Sequence, residues 1–267
     1  MTKKLALPSV TLFAIDTICH DLTRLAIEDS LEKVDFGDVV IFSDKNIKVP
    51  GARWVQCSSF PDRAAIASLM SEVYKYFTTS HNMWMHWDAG IVAPECWRPD
   101  FLAYDYIGAP WWYADGLNVG CASPAIRTQR LLEYLSTHSE FLNIGALSDD
   151  PICRQYRRQL ERAGGFVWAP DETALDFSFE RVRRTMTSRH FSFHGVFNWP
   201  FVYSGDDFSR RVSLARANSY VRDRGMITEL DTICTARASA QSRGQDIFPW
   251  AKPKWRSPSL GEGRDVR

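Results

Sequence analysis

Three aspartates of this chain stand where a side chain can reach a ligand. Asp16, Asp44 and Asp88 each come at the end of a β-branched or aromatic segment. Such a segment is typical of a buried strand, and the ligands of parallel sheets lie beyond the carboxyl ends of the strands. A carboxylate at that edge can accept hydrogen bonds from a ligand, or it can cap the following turn through backbone N–H groups. We therefore expect the three carboxylates to converge in one cleft.

Further candidates are a pair of aspartates, a pair of tryptophans and one histidine. Asp149 and Asp150 precede a predicted helix, which makes Asp150 its N-cap and leaves Asp149 without a structural explanation. Trp111 and Trp112 follow a tight turn, where they can stack on a sugar ring or pack in the core. His194 lies among phenylalanines, which also suits an imidazole at the edge of the core, held by one hydrogen bond.

The pattern around these residues predicts alternating strands and helices. The predicted strands are Val10–Ile15, Asp38–Phe42, Arg53–Cys57 and Met83–Trp87, and the predicted helices are Leu22–Val34, about Asp62–Phe77 and roughly Pro151–Ala163. Each strand is an almost continuous apolar run, which is typical of a parallel sheet covered on both faces by helices. The expected fold class is α/β, with a mostly parallel, Rossmann-like sheet flanked by helices.

The composition of the 267 residues is that of a soluble globular protein. Hydrophobic residues make up 45%, so a sizeable core is available and global disorder is excluded. Lys plus Arg and Asp plus Glu both number 32, which offers no general attraction for nucleic acid or anionic lipid. The six cysteines lack metal-finger spacing and are expected to be free thiols. Since neither a signal-peptide pattern nor a transmembrane run is present, we expect a cytoplasmic protein.

Several familiar motifs do not occur in the sequence. The turn after the first predicted strand lacks the GxGxxG fingerprint, and the phosphate-binding pattern GxxxxGK[ST] is found nowhere. The nucleophile elbow GxSxG is missing as well. The sequence therefore argues against NAD-dependent enzymes, P-loop NTPases, and α/β hydrolases or phosphatases.

Short blocks of the sequence follow one another in an order seen in a known class of enzymes. They are LPSVTL (7–12), DT (16–17) with His20, FGDVVIFSD (36–44), WDAG (87–90), FLAYDYIGAPW (101–111), SDDPICR (148–154), FVWAP (166–170), ALDFSFE (174–180) and FSFHG (191–195). In this order they resemble the nucleotide-sugar glycosyltransferases of GT-A fold, and most closely a bacterial and fungal family of uncharacterised domains grouped with them. The resemblance implies a GT-A-like fold and transfer of a sugar from a nucleotide diphosphate donor.

The resemblance also implies a metal site. In GT-A enzymes an Asp-x-Asp motif at the end of the central strand provides the metal ligand, and a late histidine often provides a second one. Here Asp88 matches the last aspartate, His86 replaces the first, and His194 matches the late histidine. The implied ion is Mn²⁺ or Mg²⁺, held between carboxylate and diphosphate, where it stabilises the charge of the departing phosphate.

The other implied roles concern the two substrates. Asp149 or Asp150 matches the residue that takes the proton from the acceptor hydroxyl, since an alcohol is a poor nucleophile until it is deprotonated. Asp16, Thr17 and Asp44 match the strand ends at which the nucleotide base and ribose bind. The implied partners are a nucleotide-sugar donor, of the uridine type, and a saccharide or glycoconjugate acceptor, with no nucleic acid.

One loop departs from the family pattern. Where the family has a VGNGGFSL type of loop, this chain reads VGCASPAI over residues 119–126. Two glycines that allow close approach to the donor sugar have become Ala and Ser, and a proline removes one amide donor. The alternatives are an altered donor, a changed acceptor, or a noncatalytic domain that binds a nucleotide-sugar or glycan. Turnover of the donor separates catalysis from binding.

The carboxyl-terminal part has its own composition. The resemblance ends at about Tyr203, and residues 206–222 and 226–241 are rich in Arg, Ala and Ser in a manner that predicts two helices. From Lys252 the content of Pro, Gly, Ser and charge predicts a disordered end. We therefore expect a GT-A-like domain over 7–203, a helical extension over 204–251 and a disordered tail over 252–267.

Overall fold

The computed structural model describes residues 3–59, 66, 69–111, 113–121, 123–142, 151–181 and 190–242. The strands within these ranges are β1 (Leu5–Ile15), β2 (Val34–Ser43), β3 (Arg53–Gln56), β4 (His81–Trp84), β5 (Ala89–Ile91), β6 (Tyr106–Gly108), β7 (Ala125–Thr128), β8 (Ser178–Phe179) and β9 (Ser192–His194). The helices are α1 (His20–Lys33), α2 (Gln129–Thr137), α3 (Ser139–Leu142), α4 (Arg157–Gly164), α5 (Asp171–Phe177), α6 (Trp199–Val202), α7 (Gly205–Ala217), α8 (Ser219–Asp223) and α9 (Met226–Gln241).

The main sheet has six strands in the order β3-β2-β1-β4-β7-β6. The first four run parallel, whereas β7 is antiparallel to both β4 and β6. The mixed α/β class with a mostly parallel sheet is therefore as predicted from the sequence. Because β1 lies between β2 and β4, the sheet has its topological switch point at the carboxyl ends of β1 and β4, where open α/β sheets form a crevice.

The centre of the sheet is buried because its strands have apolar residues on both faces. Val10, Leu12 and Phe13 of β1 are completely buried, and so is Phe42 of β2. The connecting helix α1 covers one face with residues at helical spacing, among them Leu22, Leu25 and Ala26. This is the β-α-β unit that the hydrophobic pattern predicts.

Three short strands form a second sheet in the order β5-β9-β8. Strand β5 begins one residue after Asp88 and pairs antiparallel with β9, so that Ala89 lies opposite His194. The backbone N–H of Gly195 also donates to the carbonyl of Asp88 at 3.0 Å. Gly195 has φ +96°, and a Cβ there would lie 2.4 Å from the ring of Phe197, so only glycine fits at this position. This small sheet fixes the register between the segments that carry Asp88 and His194.

The helices after residue 203 pack on the sheet domain through a second apolar cluster. It joins Leu22 of α1 and Phe193 of β9 to Ala215, Val221 and Leu230 of the last helices. The predicted helices over 206–222 and 226–241 are thus present as α7 with α8, and as α9.

Strands β1 and β2 begin earlier than predicted, at Leu5 and Val34, and three further elements also differ from the prediction. Strand β4 ends at Trp84 instead of Trp87, because the backbone N–H of His86 bonds to the side chain of Ser123 and leaves the sheet ladder. Of the predicted helix 62–77, the structure describes helical residues at 66 and 69–70 and a 3₁₀ turn at Val73–Tyr76. The helix predicted over 151–163 is a π-helical turn at Pro151–Gln155 followed by α4.

Across the described ranges, none of the helices has the length and apolar character that crossing a membrane requires.

Candidate metal and donor site

The candidate site lies at the switch point, where the segment after β4 meets the end of β9. His86 and Asp88 come from the turn that follows β4, and His194 is the last residue of β9. Asp88 is buried, whereas His86 and His194 are half-buried. The pairing of β5 with β9 therefore brings together three side chains that are far apart in the sequence.

The three side chains present metal-ligating atoms to one another. One ligating atom each of His86, Asp88 and His194 lies within 4.8 Å of the others. Nε2 of His194 is 3.3 Å from Oδ1 of Asp88, and the rings of His86 and His194 are 5.5 Å apart between centroids. The structure thus brings Asp88 and His194 together, as the resemblance implies, and adds His86 to them.

The other side of the His194 ring faces a carboxylate and a thiol. Nδ1 of His194 lies 3.0 Å from Oε1 of Glu180 and 3.4 Å from Sγ of Cys121. Glu180 also accepts a hydrogen bond from Nε1 of Trp111. Since a carboxylate accepts, Glu180 favours a proton on Nδ1 and so leaves Nε2 to face Asp88.

The turn that carries His86 is held in place by the loop that departs from the family pattern. Oγ of Ser123 accepts the backbone N–H of His86 at 2.7 Å. The ring of Trp84 packs edge-on against the ring of His86, with centroids 4.6 Å apart. Cys121, from the same loop, is completely buried against His194. Cys121 and Ser123, two of the residues by which this loop departs from the family pattern, therefore contact the site.

The charges of the site hold His194 and its carboxylates in opposite protonation states. Burial alone lowers the pKa of His194, but the surrounding Cys121, Asp88 and Glu180 raise it well above its ordinary value. Burial raises the pKa of Asp88, but the positive charge of His194 and its hydrogen bond lower it below the ordinary value. Burial likewise raises the pKa of Glu180, but the charge of His194 and its hydrogen bond lower it below the ordinary value. The ring and its two carboxylates thus stabilise each other's charged forms.

The remaining two groups of the site are kept neutral. Burial, together with the charge of His194, lowers the pKa of His86 to about 3. Burial raises the pKa of the Cys121 thiol to about 12, and the charge of Glu180 acts in the same direction. A neutral imidazole beside an ionised carboxylate is the state in which both can bind a cation. The donor set of His86, Asp88 and His194 therefore fits a divalent metal, which would take the place of the proton on Nε2 of His194.

The aspartate at the end of β1 serves the fold. Oδ1 of Asp16 accepts the backbone N–H groups of Ile18 and Cys19, each at 2.8 Å, and its Oδ2 accepts the hydroxyl of Thr23. These bonds turn the chain into α1, which corresponds to the capping alternative. Thr17 beside it is buried.

The ends of β1, β2 and β4 face the same edge of the sheet. Nε2 of His20, in the first turn of α1, lies 2.6 Å from Oδ1 of Asp44 at the end of β2. Burial and the negative charges of Asp16 and Asp88 raise the pKa of the Cys19 thiol. Burial and the charges of Asp44 and Asp16 likewise raise the pKa of the Cys57 thiol to about 11. The convergence of the three aspartates in one ligand-binding cleft stays a prediction.

Trp111 lies in the described part of the chain, unlike the other tryptophan candidate and the two candidates for the general base. Trp111 is half-buried, with its indole N–H on Glu180 and its ring against Gly120. Trp112, Asp149 and Asp150 lie outside the described residues. The predictions for a sugar-stacking role and for the general base remain predictions.

Glu180 and Cys121 are site residues that the sequence does not single out. Glu180 lies in a block used for the resemblance and Cys121 in the loop that departs from it, but neither residue forms part of a recognisable motif. The pairing of β8 with β9 brings Glu180 to the site, and the contact of Cys121 with His194 is likewise visible only in three dimensions.

Comparisons with known proteins give a family and two distant structural similarities. The chain is similar to the bifunctional IspDF from Campylobacter jejuni, at 11% identity and a TM-score of 0.40, over 60% of this chain and 48% of that one. It is also similar to the galactosyltransferase LgtC in complex with donor and acceptor sugar analogues, at 10% identity and a TM-score of 0.39, over 79% of this chain and 96% of that one. The chain spans about half of the length of IspDF. No curated protein matches the chain.

The family assignment rests on the sequence match. The model of the family described as protein of unknown function (DUF5672) matches residues 55–194, which is just over half of the chain and includes His86, Asp88, Cys121, Glu180 and His194. The chain belongs to the DUF5672 family.

Proposed function

We propose that this chain is a metal-assisted glycosyltransferase that moves a sugar from a uridine diphosphate sugar to a saccharide or glycoconjugate acceptor. The observation that carries the proposal is the meeting of Asp88 and His194 at the switch-point edge of a mostly parallel sheet. The order of the sequence blocks described above supports the same class of reaction. Neither support specifies the acceptor.

Sugar transfer requires stabilisation of the negative charge on the leaving diphosphate and deprotonation of the acceptor hydroxyl. A divalent ion at this site would supply positive charge to the diphosphate that leaves. Asp88 contributes an ionised carboxylate, and Glu180 orients the ring of His194 toward it. The proposed general base is Asp149 or Asp150, which takes the proton of the acceptor hydroxyl. The hydroxyl oxygen then forms a bond to the anomeric carbon of the donor sugar as the bond from that carbon to the diphosphate oxygen breaks.

The donor base and ribose are proposed to bind near the ends of β1 and β2. Asp44 is the more suitable of the two aspartates there, because the oxygens of Asp16 already accept three hydrogen bonds from the start of α1. Asp44 keeps about a third of its side chain exposed, and its pairing with His20 holds it in place. Trp111 is proposed to form the wall of the sugar pocket.

The second candidate is a domain that binds a nucleotide-sugar without turning it over. It is favoured by the loop 119–126, in which Cys121 and Ser123 are completely buried and fill space beside the site. Backbone that approaches a sugar closely is usually glycine, and a proline in such a loop has no N–H to donate. Binding without release of nucleoside diphosphate would favour this candidate.

The first test is thermal unfolding in the presence of Mn²⁺ and a panel of nucleoside diphosphates. A ligand at about a hundred times its dissociation constant adds about 2.7 kcal/mol to the free energy of unfolding, which raises Tm by several degrees. We expect such a shift with uridine diphosphate, and its loss in Asp88→Asn. The matched control is Asp231→Asn, which removes a half-exposed carboxylate from α9 and should keep the shift.

The test then continues with the sugar nucleotide that the panel identifies. Release of uridine diphosphate that depends on metal and on Asp88 supports the transferase. A stabilising shift without any release supports the binding domain. A folded chain that shows no shift with any nucleotide contradicts both candidates.

A further inference from the structure

The donor set of the site is richer in nitrogen than the Asp-x-Asp motif that it replaces. It combines the imidazoles of His86 and His194 with the single carboxylate of Asp88. Mg²⁺ and Ca²⁺ prefer oxygen ligands, whereas imidazole suits Zn²⁺, Fe²⁺, Co²⁺ and related ions. Two imidazoles and one carboxylate are a known set for divalent transition metals that keep open positions.

We propose that His86 is a metal ligand and that the site takes a divalent transition metal and discriminates against Mg²⁺. The inference deepens the metal part of the proposed function and rests on the same site. The resemblance implies Mn²⁺ or Mg²⁺; the inference retains Mn²⁺ and excludes Mg²⁺. The affinity order expected from the ligand types is Mg²⁺ below Mn²⁺, below Co²⁺ and Zn²⁺.

The position of His86 is set before any ion binds. Its backbone N–H is fixed by Ser123, and its ring is fixed by the edge-on contact with Trp84. Asp88, two residues on, is fixed through the pairing of Ala89 with His194 and the bond from Gly195 to its carbonyl. A preformed donor set favours the ion whose ligand preference it matches, because little rearrangement can adapt it to another.

A second group of ligating atoms shares the same histidine. Cys121, Glu180 and His194 also have one ligating atom each within 4.8 Å of the others. Two observations favour the first group. Cys121 is completely buried, whereas His86 is half-buried. Glu180 is already engaged by Trp111 and by Nδ1 of His194, which is the usual arrangement of a carboxylate behind a metal-binding histidine.

The test is a titration of the metal-stripped full chain with Co²⁺ alone, followed by visible and near-ultraviolet absorption. We expect one equivalent of Co²⁺ to give ligand-field bands without the sulfur-to-cobalt charge transfer that a thiolate ligand produces. Zn²⁺ should displace the Co²⁺, Mn²⁺ should compete more weakly, and Mg²⁺ in large excess should leave the bands unchanged. In Cys121→Ala the bound Co²⁺ should keep its ligand-field bands, because the thiol is not a ligand.

The decisive variant is His86→Asp, which restores an Asp-x-Asp pattern. Loss of a direct nitrogen ligand should weaken Co²⁺ binding by at least about tenfold. This is the lower bound because even the loss of a residue that only hydrogen-bonds to a metal ligand weakens binding by about 10- to 100-fold. At the same time Mg²⁺ should become an effective competitor. His86→Asn, a neutral side chain of similar shape, should lose Co²⁺ affinity without gaining Mg²⁺. The control is His138→Gln, which removes an imidazole that stacks on Tyr134 and should change nothing.

Three results would overturn the inference. Mg²⁺ that competes with Co²⁺ at similar concentrations in the unchanged chain would show an oxygen-type site, and this result needs no variant to fold. An unchanged order of metals in a folded His86→Asp would remove His86 from the ligands. If the unchanged chain shows sulfur-to-cobalt charge-transfer absorption and Cys121→Ala abolishes it, the ion is bound by the group of Cys121, Glu180 and His194 instead. Because nucleotide takes no part, metal selectivity without sugar transfer would contradict only the proposed function.

Discussion

At the scale of single residues, Glu180 is the group on which the orientation of His194 depends. It accepts a hydrogen bond from Nδ1 of His194 and another from the indole of Trp111. We expect Glu180→Gln, which keeps the shape and loses the charge, to lower the affinity for Co²⁺ or Mn²⁺ by about 10- to 100-fold. Titration calorimetry on the metal-stripped chain measures this change.

The matched control for this prediction is Glu161→Gln on α4. Glu161 is also a carboxylate held by cationic partners, here Arg157 and Arg158. Its replacement should leave the metal affinity unaltered. Equal affinities in Glu180→Gln and in the unchanged chain would mean that the ring of His194 is held by packing alone.

A second residue-scale prediction concerns His190 and pH. Burial lowers the pKa of His190, although the carbonyl of Leu175 and the charge of Asp176 oppose the change. Its Nε2 is buried and has no hydrogen-bond partner among the described residues. Below an ordinary histidine pKa of about 6.5, the unfolded chain gains a proton before the folded chain does. The contribution of His190 to stability is therefore full above that pH and is lost as the pH falls toward its lowered pKa in the folded state.

We expect His190→Asn to make the stability less dependent on pH in this range. The amide can still donate to the carbonyl of Leu175, but it does not titrate. Urea unfolding at several pH values from neutral into the acidic range measures the slope for both chains. Parallel slopes would show that other groups, such as His86 with its lowered pKa, account for the acid sensitivity.

The sequence predicts part of this site for a physical reason. Asp16, Asp44 and Asp88 are found because each follows a buried strand, and the carboxyl ends of parallel strands lie at one edge of the sheet. His194 is found only through its block in the family resemblance. Glu180 reaches the site through the pairing of β8 with β9, and a two-residue strand is too short to have a readable period.

At the scale of elements, β1 and β2 are predictable because each contains an almost continuous apolar run, and α1 because its apolar residues repeat at helical spacing. The second sheet is not, since β5, β8 and β9 have only two or three residues each. Their pairing depends on long-range contacts, and it is this pairing that brings His194 beside Asp88.

The turn from β1 into α1 gives an element-scale prediction. Asp16 holds this turn through the backbone N–H groups of Ile18 and Cys19 and the hydroxyl of Thr23. We expect Asp16→Ala to lower the free energy of unfolding by about 1–3 kcal/mol, because these charged hydrogen bonds have no other acceptor in the turn. Urea denaturation followed by circular dichroism measures the loss.

The control for that prediction is Asp21→Ala. Asp21 lies in the first turn of α1 and is largely exposed, so its loss should cost less than about 1 kcal/mol. If both changes cost the same, Asp16 does not hold the turn, and a role in ligand binding would become the better explanation of its position.

At the scale of the whole molecule, the question is whether the helices after residue 203 form a separate unit. Their apolar residues join the cluster that includes Leu22 of α1 and Phe193 of β9. Arg211 of α7 is almost completely buried, pairs with Asp207 and with Asp29 of α1, and stacks on Tyr203 at 4.0 Å. The extension therefore shares both a core and a buried ion pair with the sheet domain.

We expect the chain to unfold as one cooperative unit, and Arg211→Met to lower its stability by about 3 kcal/mol. This is the low end for breaking a buried ion pair, because the charge of Lys33 still acts on Asp29. Arg210→Met, at the exposed neighbouring position, should change the stability by no more than about 0.5 kcal/mol. Circular dichroism and tryptophan fluorescence should give coincident urea transitions in all three chains. If Arg211→Met instead separates the two signals, so that helix is lost before the tryptophans of the sheet respond, the extension is an independent domain docked on the site-bearing sheet.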